Sequence, residues 1–146
     1  TKAAVAEGIV AGGGVVLMRA SQTINKWLID TLQKEDLNRD FRTGLEVVQD
    51  ALWSPIKKIL ENAGKSEIEV SDMLKQLIYK DDAEYGYNVE TEQFGNMIKM
   101  GVVDPVKVTK SALQNAASVA AMILTTNVLI SNEKEAPKNN PLDALQ

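Results

Sequence analysis

The 146-residue sequence contains no cysteine and no histidine. That excludes disulfides, thiolate nucleophiles and cysteine-ligated metals, and equally an imidazole base, a serine–histidine triad and the common zinc sites. Chemistry here falls to carboxylates, hydroxyls, lysines, backbone groups or a bound ion. Three short motifs could use them. Gly12-Gly13-Gly14 lets a backbone approach a ligand closely, and the N-terminus of a following helix offers free N–H groups to oxygen-rich ligands. No Lys-Ser or Lys-Thr pair follows it, so the phosphate-loop pattern is not met. A flexible joint, or helix packing too tight for a Cβ, explains the triplet as well. In Tyr85-Gly86-Tyr87-Asn88 the Asn88 carboxamide can donate to and accept from a base edge. It can also close a turn on its own backbone. Asp104 can accept from the two hydroxyls of a ribose, or serve only as a helix cap ahead of Pro105. Asp81-Asp82 lacks a flanking ligand pattern and reads as a solvated turn.

Helical periodicity positions these residues. Leu17, Ala20, Ile24, Leu28 and Leu32 recur at spacings of three and four after the glycines. A second helix reads through Leu45, Val48, Leu52, Ile56, Ile59 and Ala63, with Pro55 kinking or restarting it and Gly64 stopping it. A third spans about 66–79 on a stripe of Val70, Met73, Leu74, Leu77 and Ile78, with Ser66 as N-cap and acidic residues in its first turn. From Lys80 to Glu92 the aromatic, turn-rich segment predicts a small hairpin or ordered loop. A short helix is expected at about Gln93–Met100. Asp104-Pro105 then reads as an N-cap with proline at the first helical position. The last helix, from Pro105 to about Leu129, is apolar around most of its circumference and is expected to be a central core helix. Trp27 and Trp53 read as packing residues, and Met97 and Met100 as gap fillers. The segment after Ser131, with two prolines and alternating charges, reads as a mobile tail. The expected class is mainly α, with a small β-hairpin.

Composition narrows the function classes. The chain is 45% hydrophobic and 25% charged, which fits a globular domain and not a disordered or collagen-like chain. Sixteen basic against 20 acidic residues give a net charge of -4, so no broad basic field for nucleic acid is expected. The longest uninterrupted apolar run, Val119–Leu124, falls far short of the roughly 20 residues of a membrane span. The first residues do not form a signal peptide. They read as a helix already under way, as though the chain were a piece of something longer.

Taken together, the motifs resemble a known family. A-V-A-E-G-I-V-A-G-G-G-V from Ala4 to Val15, the run Y-G-Y-N-V-E-T-E-Q-F-G-N-M-I-K-M-G-V-V-D-P-V-K-V-T-K-S-A-L-Q-N-A-A-S-V-A from Tyr85 to Ala120, and L-T-T from Leu124 closely resemble the group I, GroEL-type chaperonins. The resemblance implies that residues 1–131 are the C-terminal half of a multihelical equatorial domain, followed by a flexible tail over 132–146. It also implies an ATP-driven folding chaperone that assembles into homo-oligomeric rings, with subunit contacts made partly by this segment. By the same resemblance Gly13 lies at the ribose and Asp104 bonds to the ribose hydroxyls. Asn88 and Val89 face the adenine, and Val102 flanks the base. The nucleotide is ATP or ADP with Mg, whose ligands are expected outside this chain. Co-chaperonin and non-native clients would bind through domains that the chain lacks, so the isolated chain is expected not to hydrolyse ATP. No nucleic acid or membrane partner is implied. The compartment implied is a bacterial cytoplasm, or alternatively a mitochondrial matrix or plastid.

The chain departs from the family at several places. Asn88-Val89-Glu90 stands where relatives read N-A-A, and the middle of the chain diverges. Lys57 and Ser66 stand where relatives contact the opposite ring through an Arg and a Glu. These departures leave a second reading, a non-enzymatic helical interaction module that keeps the fold without nucleotide turnover.

Overall fold

A computed structural model of the chain describes residues 2–32, 38–80, 82–128 and 130. The tail expected over 132–146, and Asp81, lie outside the described residues. In chain order the elements are α1 (Lys2–Glu7), β1 (Ile9–Ala11), α2 (Val15–Leu32), α3 (Arg39–Asn62), α4 (Glu67–Tyr79), β2 (Tyr85–Asn88), β3 (Gln93–Asn96), β4 (Val103–Pro105) and α5 (Val106–Leu124). The class is mainly α, as expected. Among the described residues, those up to Ser111 form one compact unit and those from Ala112 onward another. In the first unit the core gathers Val15 and Met18 of α2, Ile56 and Leu60 of α3, Leu74 and Leu77 of α4, and Tyr87 and Met97 from the β2–β3 region.

Sequence chemistry sets the helix ends. At the end of α3, Gly64 takes φ +81°, and the Gly64 and Lys65 N–H groups donate to the Glu61 and Leu60 carbonyls at 2.9 and 3.2 Å. This is a Schellman closure, which glycine permits without a Cβ penalty. Two residues on, the Ser66 hydroxyl accepts from the Glu69 N–H while the Glu69 carboxylate accepts from the Ser66 N–H, a reciprocal capping box. α3 runs through Pro55 without the restart that the sequence suggested. The carbonyl deprived of its helical donor belongs to Ala51, an exposed residue to which water can supply the bond.

The buried side of α2 meets the expected stripe at Leu28 but lies one position off it earlier in the helix. Val15, Met18, Ser21 and Leu28 are buried, whereas Leu17, Ala20 and Ile24 are half-buried. Ser21 can take a core position because its hydroxyl is satisfied. It accepts from Trp53 Nε1 at 2.9 Å and donates to the Gln49 carbonyl at 3.3 Å. Trp53 is thus a packing residue, but Trp27 is 50% exposed and is not.

Three further expectations are corrected. Gln93–Asn96 is strand β3, not helix, paired antiparallel with β2 in the register Tyr87↔Phe94 and Gly86↔Gly95. Phe94 packs on Tyr87 at 4.8 Å between ring centroids and stacks on Tyr85 at 6.3 Å. Such cross-strand pairs outweigh the weak helical tendency of so short a segment. Asp104 is not a helix cap; it lies in β4 opposite Val10 of β1, and α5 begins after Pro105. The third correction concerns α5, which contains no buried residue. An apolar circumference shows what a helix can pack against, not that the partner lies in the chain.

The third glycine of the triplet sets the crossing of α2 and α3. Gly14 has φ +78°, and a Cβ there would lie 2.8 Å from the Ile56 nitrogen and 2.9 Å from its Cα. Gly44, inside α3, has open space around its Cβ direction. Urea unfolding should therefore separate the two. Gly14→Ala should cost about 3 kcal/mol from left-handed strain and backbone crowding, and Gly44→Ala should add about 0.5–1 kcal/mol. Acid sensitivity is a second expectation. The Ser66 hydrogen bonds hold the Glu69 carboxyl below its ordinary pKa, and the Lys110 hydrogen bond does the same for Glu7. Depressed carboxyls bind fewer protons folded than unfolded, so their contribution is complete above about pH 5 and lost as acid is added. The urea midpoint should fall between about pH 5 and 3, and Glu69→Gln should flatten part of that fall.

Candidate functional site

The glycine turn, β4 and the hairpin converge in the first unit. β1 and β4 form a two-stranded antiparallel ladder in which Ala11 faces Val103 and Ile9 faces Pro105. The ladder is closed at both ends by backbone bonds, Gly12 N–H to the Val102 carbonyl at 2.9 Å and Val106 N–H to the Gly8 carbonyl at 3.1 Å. Gly12 itself approaches the Val102–Val103 peptide so closely that a Cβ would lie 3.1 Å from it. Val102 N–H in turn donates to the Met97 carbonyl at 2.9 Å, which ties β4 to the end of the hairpin.

Gly13 differs from its neighbours. Its φ is +67°, and a Cβ would meet the flexible Cε of Met97 at 2.9 Å, then the Tyr87 carbonyl oxygen at 3.9 Å and Val102 Cγ1 at 4.0 Å. No backbone crowds it from within 3.5 Å. The structure thus brings Gly13 and Val102 together beside the Tyr87 carbonyl. Asp104 lies two residues beyond Val102 on β4 and is half-buried. Asn88, buried, and Val89, exposed, follow Tyr87 at the turn end of the hairpin.

Asn88 is committed in part to its own turn. Its Oδ1 accepts from the Glu90 N–H at 2.9 Å and from the Thr91 N–H at 3.4 Å. The turn reading of this residue therefore holds, whatever else its amide nitrogen does. Further along the turn Glu92 has φ +53°, an uncommon conformation for a residue with a Cβ. Its carboxylate lies 2.7 Å from Lys65 Nζ. The Glu92 hydrogen bond, with a smaller share from Tyr87, holds the Lys65 ammonium above its ordinary pKa against opposing desolvation.

Sequence reasoning passed over Lys65, Glu92 and Gly86. The two ionic partners are separated by 27 residues and share no local pattern. A Cβ on Gly86 would run into Met97 Cγ at 2.5 Å and Val15 Cγ2 at 2.6 Å, a crowding that the Y-G-Y-N wording alone does not disclose. Two concavities lie elsewhere. One of about 480 Å³ runs between α3 and α4 past Trp53, Lys57 and Lys75, and one of about 430 Å³ is lined by Gln22, Asn25, Lys26, Trp53 and Ile78. Neither includes the glycine turn or β4. Among the described residues no group of three or more Asp or Glu side chains is placed to hold a metal ion. No described helix is long and apolar enough to cross a membrane.

Comparison with known proteins gives this arrangement a context. Residues 1–134 match the TCP-1/cpn60 chaperonin family. The chain is 44% identical over 144 residues to the chaperonin GroEL of Mycoplasmoides gallisepticum, covering 97% of this chain and 25% of that protein. It is also similar to the crystal structure of a group III chaperonin in the open state, with a TM-score of 0.73 and 29% identity over 88% of this chain and 25% of the other. The chain thus spans about a quarter of the length of the relatives it matches.

The Asn88 turn makes a direct prediction. Asn88→Ala strands two amide donors beside a buried position and should cost about 1–2 kcal/mol in urea unfolding. Asn88→Asp keeps the acceptor and should retain most of that stability.

Proposed function

The chain belongs to the TCP-1/cpn60 chaperonin family, and from that premise we propose that it forms the nucleoside side of an ATP site in a GroEL-type folding chaperone. The observation that carries this reading is the meeting of the glycine turn with β4 and the Tyr87 carbonyl at Gly13. Close approach by a ligand needs a backbone without side chains, and backbone does not crowd Gly13 as it crowds Gly12 and Gly14. The residues fit a nucleoside. Gly13 would offer its backbone to the ribose, and the Asp104 carboxylate would accept from the ribose hydroxyls. Val102 and Val89 would flank the base as apolar contacts. With Asn88 Oδ1 engaged by the turn, its amide nitrogen is the group that could donate to a ring nitrogen of adenine.

The phosphates and their Mg would be held by residues beyond this chain, in keeping with its short share of the matched relatives. ATP bound at this site would supply differential binding free energy, biasing rigid-body movements of other domains. Non-native polypeptide would be the client, and other copies of the subunit would complete a ring. The group I assignment is supported by the wording from Tyr85 to Ala120 and by the GroEL relative. The setting proposed is a bacterial cytoplasm, with a mitochondrial matrix or plastid as the alternative.

Titration calorimetry of the full-length protein tests the reading. ADP or ATP should bind, and Asp104→Ala should weaken binding at least about tenfold, the equivalent of about 1.4 kcal/mol. Absence of binding, or indifference to that substitution, would favour a helical assembly module without nucleotide function.

A further inference from the structure

The α3–α4 corner reaches the turn of the hairpin through one side chain. Lys65 stands between two firmly closed helix ends. Its own N–H donates to the Leu60 carbonyl at 3.2 Å, and the next residue, Ser66, is the N-cap of α4 with its reciprocal Glu69 bonds. The Lys65 backbone is therefore fixed on both sides. Its side chain, only 21% exposed, places Nζ 2.7 Å from Glu92 Oε1, and the Tyr87 side chain is a further group acting on the ammonium.

The other end of this contact is the segment that follows Tyr87. Tyr87 is buried, packs on Phe94, and turns its carbonyl toward Gly13. Residues 88–92 are held by two N–H bonds to Asn88 Oδ1, and they end on Glu92, the one described non-glycine residue with positive φ. Such a conformation persists only where its surroundings hold it. Exposed ion pairs contribute little as a rule. This one joins segments 27 residues apart, one of its side chains is half-buried, and the other sits on the residue with positive φ.

We propose that Lys65 is a positioning residue: through Glu92 it holds the Asn88–Glu92 turn to the α3–α4 corner, and so fixes the groups offered to an adenine base. The inference builds on the nucleotide reading above. Because coupling between two places is reciprocal, a nucleotide seated against the turn also steadies the corner.

The experiment uses the full-length protein with Lys65→Met, which removes the cation, and Lys65→Arg, which keeps it. Amide hydrogen exchange at Glu90 and Thr91 should rise about three- to tenfold in Lys65→Met, while α4 amides beyond its first turn stay unchanged. ATP affinity should fall by a similar factor, and the preference for ATP over GTP should shrink with it. A general loss of stability would weaken both nucleotides alike and leave that preference intact. Lys65→Arg should restore both readouts. If exchange at the turn is unchanged in Lys65→Met, or the ATP-to-GTP preference is unmoved, the inference is overturned while nucleotide binding stands. If the unsubstituted protein binds no nucleotide, the nucleotide reading falls and takes this role of Lys65 with it.

Discussion

One close approach of two backbones organises the first compact unit. Gly14 lies so near the Ile56 backbone that α2 and α3 can cross there only without a side chain. That crossing delivers Val15 and Met18 into the core under the hairpin. It also aims the preceding residues at β4, where Gly12 bonds to Val102. The triplet therefore divides its work. Gly12 and Gly14 are glycines because backbone stands against them, whereas Gly13 takes a left-handed φ of +67° with the Met97 side chain, not backbone, nearest its Cβ direction.

The residues around Gly13 include no histidine and no cysteine. A carboxylate, a carboxamide, apolar side chains and backbone are the available parts, which suits recognition of a sugar and a base more than proton transfer. The lack of histidine and cysteine, which first suggested little chemistry, is consistent with this: binding a nucleoside needs neither. The similarity to a group III chaperonin structure at 29% identity with a TM-score of 0.73 indicates that the fold tolerates wide sequence change.

What was legible in the sequence was what is local. Ser66, Glu69 and Gly64 announced the ends of α4 and α3, because capping chemistry is written within a few residues of the site where it acts. The first strand of the hairpin and its turn are legible from aromatic and glycine residues within Lys80–Glu92. What escaped depended on distant partners. β3 was mistaken for helix because its pairing with Tyr85–Asn88 is a tertiary choice. Asp104 was mistaken for a cap because Val10, its strand partner, lies near the other end of the chain. The Lys65–Glu92 pair is invisible to any window for the same reason. For α5 the composition was read correctly, but burial depends on what surrounds a helix. The site residues themselves were each ambiguous alone. Their resemblance to a family gave the roles proposed for them, and the fold then brought Gly13 and Val102 into contact while showing Asn88 already bonded within its own turn.

The central claim is that Gly13, Val102 and Asp104 form the nucleoside side of a nucleotide site. A crystal structure of the full-length protein with ADP bound tests it most directly. The ribose hydroxyls are expected at hydrogen-bond distance from the Asp104 carboxylate, the sugar against the Gly13 backbone, and the base between Val102 and the Asn88–Val89 turn. Nucleotide density at another place in the protein, with Asp104 remote from the sugar, would contradict it.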